Sequence, residues 1–353
     1  MRYKLLGKSG LRVSELCLGT MTFGLDFKWG TPKDEGRKIF QAFVEAGGNF
    51  IDSANTYARS EEFLGEFASG QRERLVIASK YTGAAAGKDV NGAGTHRKNL
   101  VQSVEASLKR LKTDYIDLLW IHAWDFKTPA EEVMRALDDL VRQGKILYTG
   151  VSNAPAWVIA RCNTLADLRG MTPFIALQIE YSLIEREAER ELVPMAREMD
   201  IGVTAWAPLA AGWLTGKYSE QARREPEQGE EAGPNRLDDE FASRFVQRSP
   251  RNIDIAAEVV SIAEEMGCTP SQVALSWVRK KGVIPIFGAR RVEQAEENLR
   301  CLGTDLSGDH MARLDKASRI ALGYPHDFLT RVKPFVFGGT YDLIDDHRRR
   351  ASL

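Results

Sequence analysis

The sequence predicts a (β/α)8 barrel of the TIM-barrel class, because short apolar segments alternate eight times with amphipathic helical segments along its 353 residues. This alternation is typical of parallel βα units, and one such barrel commonly takes about 250 residues plus insertions. Most of the strand segments are apolar throughout, as expected of strands buried on both faces. We therefore predict an α/β protein in which residues 1–320 form one barrel domain.

Each strand is predicted from its apolar run. The eight predicted strands are residues 16–19, 49–52, 75–80, 115–122, 146–152, 174–180, 202–207 and 283–286. Helices are predicted where apolar residues recur three and four positions apart, as they do from Val101 to Leu111. Before the first barrel strand, residues 4–6 and 11–13 flank a Gly-Lys-Ser-Gly turn, which predicts a β-hairpin that plugs the barrel bottom.

Two regions interrupt the alternation. Residues 219–250 include the charged stretch EPEQGEEAGPNRLDDE and are predicted to form a long mobile loop after the seventh strand, a candidate lid. Residues 321–353 form a C-terminal tail. Its aromatic half is expected to pack near the barrel mouth, and its end to fray.

Composition favours a small-molecule partner. The chain has 48 Lys and Arg against 49 Asp and Glu, so it offers no electrostatic field for nucleic acid or an anionic membrane. The four cysteines form no C-x-x-C pair and the five histidines lack metal-ligand spacing, so no metal is expected. Without an apolar leader or a membrane-spanning run, a cytoplasmic location is expected. The sequence leaves open whether the chain forms a homo-oligomer.

Polar residues end the predicted strands, at the side where this barrel class places its active sites. Asp52, Lys80 and His122 end the second, third and fourth strands, and Tyr57 lies in the loop after Asp52. Asp52 and Lys80 are expected to pair, since either charge would be costly to bury alone. The ammonium would lower the pKa of the Tyr57 phenol and make it a proton donor. His122 would give a carbonyl oxygen its second hydrogen bond.

Taken singly, each of these four residues is more often structural than catalytic. Their joint placement at three successive strand ends favours catalysis. No G-x-G-x-x-G segment follows a predicted strand, which disfavours a Rossmann dehydrogenase.

The chain resembles the aldo-keto reductases in seven segments that keep the family's order and spacing across residues 2–320. These segments are FIDSANTY, VIASKY, DLLWIHAWD, YTGVSN, LQIEYSLIER, AWAPLAAGWLTGKY and IPIFGARRVEQAEENL. The resemblance implies a (β/α)8 barrel, NADPH bound without a Rossmann fold, and a tetrad of Asp52, Tyr57, Lys80 and His122. Further segments most resemble the aryl-alcohol dehydrogenase-like branch, which is related to potassium-channel β subunits.

The resemblance also implies which residues bind NADPH or NADP+. Ser152, Asn153 and Gln178 would bind the nicotinamide carboxamide, which needs both donors and acceptors, and Trp206 would stack on the ring. The other implied cofactor residues are Gly19, Thr20, Met21, Asp52, Leu209, Ala211, Gly212, Lys217, Gly288, Arg290, Gln294, Glu297 and Asn298.

Two arginines, Arg290 and Arg291, precede the helix predicted after the eighth strand. Cations at a helix N-terminus oppose its dipole, so an anion is expected between them and the helix amides. By resemblance this anion is the 2′-phosphate of NADPH, bound by Arg290 and Gln294. A solvated surface position remains the alternative for Arg291.

Aromatic residues in the loops are expected to ring the barrel mouth. With Tyr57 and His122, the expected substrate pocket comprises Phe23, Phe27, Trp29, Trp124, Trp213 and Phe328. Aromatic walls suit an apolar or aromatic aldehyde or ketone, although sugars also stack on indole rings. Three functions remain open: reduction of such a carbonyl by NADPH, a specialised ketoreductase for a sugar or multi-ring ketone, and an NADP-binding subunit that reports redox state to a protein partner.

Overall fold

The structure, a computed structural model, describes residues 1–25, 30–84, 89–216 and 249–345. Within them, eight parallel strands close into a barrel with helices around it, which confirms the predicted fold class. Most of the predicted loop 219–250 lies outside the described residues, as do Phe27, Trp29 and Lys217.

The barrel strands follow one another around the ring, and the last pairs with the first. They are β3 (Cys17–Gly19), β4 (Phe50–Asp52), β5 (Val76–Tyr81), β6 (Ile116–Ile121), β7 (Ile146–Ser152), β8 (Phe174–Glu180), β9 (Gly202–Trp206) and β10 (Ile284–Phe287). Every predicted strand boundary agrees with these bounds to within one residue.

The helices of the described residues lie mainly between the strands. They are α1 (Lys33–Glu45), α2 (Ser60–Phe67), α3 (Arg97–Leu111), α4 (Ala130–Arg142), α5 (Ala156–Arg169), α6 (Leu192–Glu198), α7 (Pro250–Met266), α8 (Pro270–Lys280), α9 (Val292–Leu299), α10 (Gly308–Ala317) and α11 (His326–Val336). Helix α8 begins at Pro270, where Thr269 and Gln272 form a capping box and proline suits the first helical position. None of the helices described is long and apolar enough to cross a membrane.

Apolar side chains fill the interior of the barrel. Phe50, Leu118 and Ile175 belong to one buried cluster there, together with Trp120. Position 150 is glycine because the Trp120 ring occupies the space that a Cβ would need. The interior is therefore closed below the polar strand ends.

The N-terminal hairpin lies at the bottom of the barrel, as predicted. Its strands, β1 (Tyr3–Leu5) and β2 (Arg12–Ser14), pair antiparallel. Leu6, in the turn, is fully buried in the interior cluster. Gly7 has a positive φ of 54° and lies so close to Ile175 O that a side chain would clash. The Lys8 N–H also donates to Asp200 O, at 2.7 Å.

The C-terminal tail is attached beside the loop that follows β8. Arg190 donates to Ala321 O at 3.1 Å, and His326 Nε2 lies 3.1 Å from Glu191 Oε1. Phe328, in α11, is 47% exposed. Residues 346–353 lie outside the described residues, so a position of the whole tail near the mouth stays a prediction.

Candidate active site

A buried ion pair lies at the strand ends of β4 and β5. Lys80 Nζ bonds to Asp52 Oδ2 and also donates to Ser53 O at 3.0 Å. The other carboxylate oxygen, Asp52 Oδ1, accepts from Gln178 Nε2 at 2.9 Å. The side chains of Lys80 and Asp52 are 0% and 4% exposed. These bonds offset the cost of removing two charges from water.

Tyr57 and His122 lie against this pair. Lys80 Nζ is 4.8 Å from the centre of the Tyr57 ring and also interacts with its hydroxyl. The Tyr57 and His122 rings are 5.8 Å apart and nearly perpendicular, at 82°. The structure thus brings together all four residues of the predicted tetrad.

The electrostatics of the tetrad follow from burial and charge. Burial alone would lower the pKa of Lys80, but the charge of Asp52 and the interactions of the ammonium with Asp52 and Tyr57 outweigh it, and the pKa is raised. Burial, with the nearby Lys80 charge, lowers the pKa of His122 to about 3. At neutral pH the site therefore holds an ammonium and a neutral imidazole.

A group of three hydroxyls holds the loop that carries Tyr57. Ser60 Oγ lies 2.5 Å from Thr20 Oγ1 and 2.9 Å from Ser53 Oγ. The Ser60 N–H donates to Tyr57 O at 2.8 Å, and Thr20 Oγ1 donates to Asp52 O at 2.9 Å. The loop is therefore tied to β3 and β4. Sequence reasoning missed this role, because small hydroxyl residues are common in any loop.

Thr82, just beyond β5, is a second residue that sequence reasoning missed. Its φ is +123°, which is unusual for a β-branched residue. Its Oγ1 accepts from the His122 N–H at 3.2 Å, and its carbonyl accepts from the Gly94 N–H at 2.8 Å. Backbone strain of this kind is often found where groups must be positioned for function. Here Thr82 joins the end of β5 to His122.

The residues predicted to bind nicotinamide end neighbouring strands. Ser152 and Gln178 are register partners of β7 and β8. Ser152 is fully buried, and its Oγ has no hydrogen-bond partner within the described residues. Since leaving a buried hydroxyl unpaired is costly, this position fits a polar ligand such as a carboxamide. Asn153, which is exposed, donates from Nδ2 to His122 O at 2.8 Å.

The segment after β9 suits a close approach of its backbone to a ligand. Ala210, Ala211 and Gly212 all have positive φ, at 48°, 54° and 98°. No heavy atom of the described residues lies within 4 Å of a Cβ built on Gly212. Leu209 and Trp206 are half-buried beside this segment. This conformation fits the predicted pyrophosphate segment.

The N-terminus of α9 differs from the sequence expectation. Gln294 Oε1 accepts from the Arg290 N–H at 2.9 Å, and Glu35 Oε1 accepts from the Val292 N–H at 2.7 Å. The bond from Val292 lowers the pKa of Glu35. A carboxylate of the chain thus complements this helix end, so the helix dipole alone does not require a phosphate. The assignment of Arg290 and Gln294 to the 2′-phosphate stays a prediction.

The remaining predicted cofactor residues lie at or near strand ends, or in α9. Thr20 and Asn298 are buried, Gly19, Met21 and Glu297 are half-buried, and Gly288 is exposed.

Two predicted pocket walls are core residues in this structure. Phe23 is fully buried, and its ring centre lies 6.1 Å from that of Phe67. Trp213 is 5% exposed, and its Nε1 donates to Asn252 O at 3.1 Å. Both rings belong to the buried core cluster, so their burial does not support a place in the substrate pocket, and that assignment stays a prediction. Trp124 is half-buried and keeps its place as a candidate.

Glu180 is a titratable residue of the barrel mouth that sequence reasoning did not select. It is two residues beyond Gln178 in β8, on the same face, and is the register partner of Trp206. Burial, with repulsion from Glu185, raises the pKa of Glu180 to about 7. The sequence signal that could have indicated Glu180 is the presence of two glutamates, Glu180 and Glu185, in the segment LQIEYSLIER.

A (β/α)8 barrel whose strand ends hold a Lys-Asp pair against a tyrosine and a neutral histidine is the framework of a barrel enzyme with its active site at these strand ends. Comparison with known proteins names the family. Residues 15–319 match the aldo/keto reductase family, and the chain belongs to it.

Curated relatives are similar along nearly their whole length. A norsolorinic acid reductase of Emericella nidulans is 37% identical over 336 residues, covering 91% of this chain and 82% of the relative. The aryl-alcohol dehydrogenase [NADP(+)] of Phanerodontia chrysosporium is 36% identical, covering 90% and 86%. A putative aryl-alcohol dehydrogenase of Saccharomyces cerevisiae is 34% identical, covering 93% and 89%.

Proposed function

We propose that the protein reduces an apolar or aromatic aldehyde or ketone to the alcohol, with NADPH as hydride source and Tyr57 as proton donor. The observation that carries the proposal is the contact of Tyr57 with Lys80, a buried ammonium held by Asp52. The family and the names of the relatives support carbonyl chemistry, and the NADP(+) in one relative's name supports the cofactor.

Lys80 makes Tyr57 a usable acid. As the phenolic proton moves to the substrate oxygen, negative charge develops on Tyr57, and the adjacent ammonium stabilises it. Asp52 keeps Lys80 protonated, since it contributes to the raised pKa of that ammonium. The pair therefore acts on the substrate through Tyr57.

His122 has a different task from Tyr57. With a pKa of about 3, the imidazole is neutral at neutral pH and is not the proton donor. Its remaining ring N–H can still donate a hydrogen bond. Donated to the carbonyl oxygen, that bond orients the substrate and stabilises the charge that develops there.

NADPH, when bound, would supply the hydride for the carbonyl carbon. Ser152, Asn153 and Gln178 would bind its carboxamide, and Trp206 would stack on the ring. The unpaired Ser152 hydroxyl supports this arrangement. Arg290 and Gln294 would bind the 2′-phosphate.

The experiment that tests the proposal is Tyr57→Phe. We expect carbonyl reduction with NADPH to fall by about 10²- to 10⁴-fold, the usual contribution of a general acid, while NADPH still quenches tryptophan fluorescence. Tyr3→Phe is the matched control, because that hydroxyl donates to Gly47 O at the barrel bottom, away from the tetrad. A Tyr57→Phe enzyme as fast as wild type would exclude Tyr57 as the acid. NADH binding as tight as NADPH binding would exclude the role of Arg290 and Gln294.

A further inference from the structure

A surface groove of about 240 Å³ lies between the N-terminal ends of α4 and α5. We call it the aromatic groove, and its main lining residues are Trp124, Phe126, Lys127, Trp157 and Arg161. Two of its rings are unusually exposed, Phe126 at 61% and Trp157 at 62%. Both rings line the same groove, so their exposed faces are available to one ligand.

The groove adjoins the tetrad. Trp124 is two residues beyond His122, so at most about 7 Å of extended backbone separates them. Asn153 joins the two positions: its Nδ2 donates to His122 O at 2.8 Å, and its carbonyl accepts from the Trp124 N–H at 3.3 Å. The segment that carries His122 therefore continues directly into the groove lining at Trp124.

The loop that exposes Phe126 is held in place. Phe126 has a φ of +55°, which is uncommon for a residue with a bulky side chain. Asp125 fixes the turn, since its carboxylate accepts from the N–H groups of Lys127 (2.9 Å), Thr128 (3.0 Å) and Thr95 (2.7 Å). Burial opposes ionisation of Asp125, but these bonds prevail and its pKa is lowered. The exposed ring is therefore a preformed feature that costs stability to maintain.

The charges at the groove favour an acidic ligand. Arg161 is paired with Glu131, at 2.9 Å. Lys127 makes no ion pair with any described residue, and the nearby Asp125 carboxylate accepts from backbone N–H groups instead, so Lys127 is a lining cation without a carboxylate partner among the described residues. A carboxylate or acidic phenol would complement it.

We propose that the aromatic groove binds the distal end of an extended aromatic aldehyde or ketone that carries an acidic group, while the carbonyl lies at Tyr57 and His122. The distal ring stacks on Trp157 and Phe126, and Lys127 pairs with the acid. The inference rests on the proposed function for the reaction itself, and it defines a preference for two-ring acidic substrates over simple benzaldehydes.

The test compares benzaldehyde, biphenyl-4-carbaldehyde and 4′-formylbiphenyl-4-carboxylate as substrates with NADPH. Trp157→Ala should raise KM for both biphenyl aldehydes by about tenfold, the effect of losing one aromatic contact and its buried area, and leave benzaldehyde unchanged. Lys127→Met should raise KM by about threefold for the carboxylate alone, since an exposed ion pair contributes little. Leu168→Ala is the control, because Leu168 is 81% exposed on the same helix but does not line the groove.

Binding of biphenyl-4-carboxylate, which has no aldehyde or ketone, is measured by calorimetry in the same variants. We expect Trp157→Ala to weaken it about tenfold. Equal affinity in wild type and Trp157→Ala, or an unchanged KM for the biphenyl aldehydes, would overturn the groove inference. A wild-type protein that reduces none of the aldehydes but loses calorimetric affinity in Trp157→Ala would overturn the proposed function and uphold the groove.

Discussion

At the scale of single residues, His122 links the chemistry of the site to the pH dependence of folding. Its pKa is about 3 in the folded protein, whereas a histidine in an unfolded chain titrates near about 6.5. Between these values the unfolded state binds a proton that the folded state does not. The contribution of a neutral His122 to stability is therefore complete above about pH 6.5 and is lost as the pH falls.

His122→Gln should reduce this loss. Between pH 7.5 and pH 5.0, we expect the free energy of unfolding of the wild type to fall by about 2 kcal/mol more than that of the variant. Urea denaturation at both pH values measures the difference. His326→Gln, which changes a histidine of α11 outside the site, is the control. Equal pH dependence of wild type and His122→Gln would show that the pKa of His122 is the same in the folded and unfolded states.

At the scale of elements, the strand ends are held together by bonds beyond the sheet ladder. Thr82 joins the end of β5 to His122, whose N–H also donates to Tyr81 O at 3.0 Å. Ser60, at the start of α2, holds the Tyr57 loop against β3 and β4. These side chains set the position of the tetrad without contacting a substrate.

Thr82→Val keeps the shape of the side chain and removes one of the two acceptors of the His122 N–H, the other being Tyr81 O. We expect kcat for carbonyl reduction to fall about fivefold, as for the loss of one hydrogen bond of about 1 kcal/mol, with NADPH affinity unchanged. Thr82→Ser retains the hydroxyl and should recover most of the rate. A Thr82→Ser variant as slow as Thr82→Val would assign the effect to packing instead.

At the scale of the whole molecule, a polar network connects the loop after β8 to α8 and α10. Asp315 pairs with Lys281 at 2.8 Å and with Arg186 at 3.2 Å, and it accepts from Trp277 Nε1 at 3.1 Å. The Lys281 and Arg186 side chains are only 7% and 8% exposed. The network thus joins parts of the chain that are distant in sequence.

Asp315→Ala should leave Lys281 buried without its partner. We expect a loss of about 2 kcal/mol in the free energy of unfolding, below the usual cost of breaking a fully buried pair because Asp315 is partly exposed. Urea denaturation measures it. Asp305→Ala, which removes the exposed partner of Lys280, should leave the midpoint unchanged. Similar behaviour of the two variants would mean that the network does not stabilise the fold.

The sequence predicts the barrel well because strands buried on both faces leave continuous apolar runs. It also indicates the strand-end residues of the tetrad, because each of them interrupts such a run. It does not predict contacts set by distant parts of the chain. Glu35 reaches the N-terminus of α9 from 257 positions away, and no local pattern indicates it. Phe23 and Trp213 show a related limit, since an aromatic residue in a loop gives the same signal whether it faces the core or the mouth.

The Trp120 ring packs over Gly150 and helps to fill the barrel interior below the site. Apolar side chains fill the barrel beneath the tetrad, and the hairpin lies below them. Under the proposed function, a proton given up by Tyr57 would be replaced from the mouth, the side on which a substrate would enter. Release of the alcohol and reprotonation of Tyr57 would then use the same route, so slow product release would delay both.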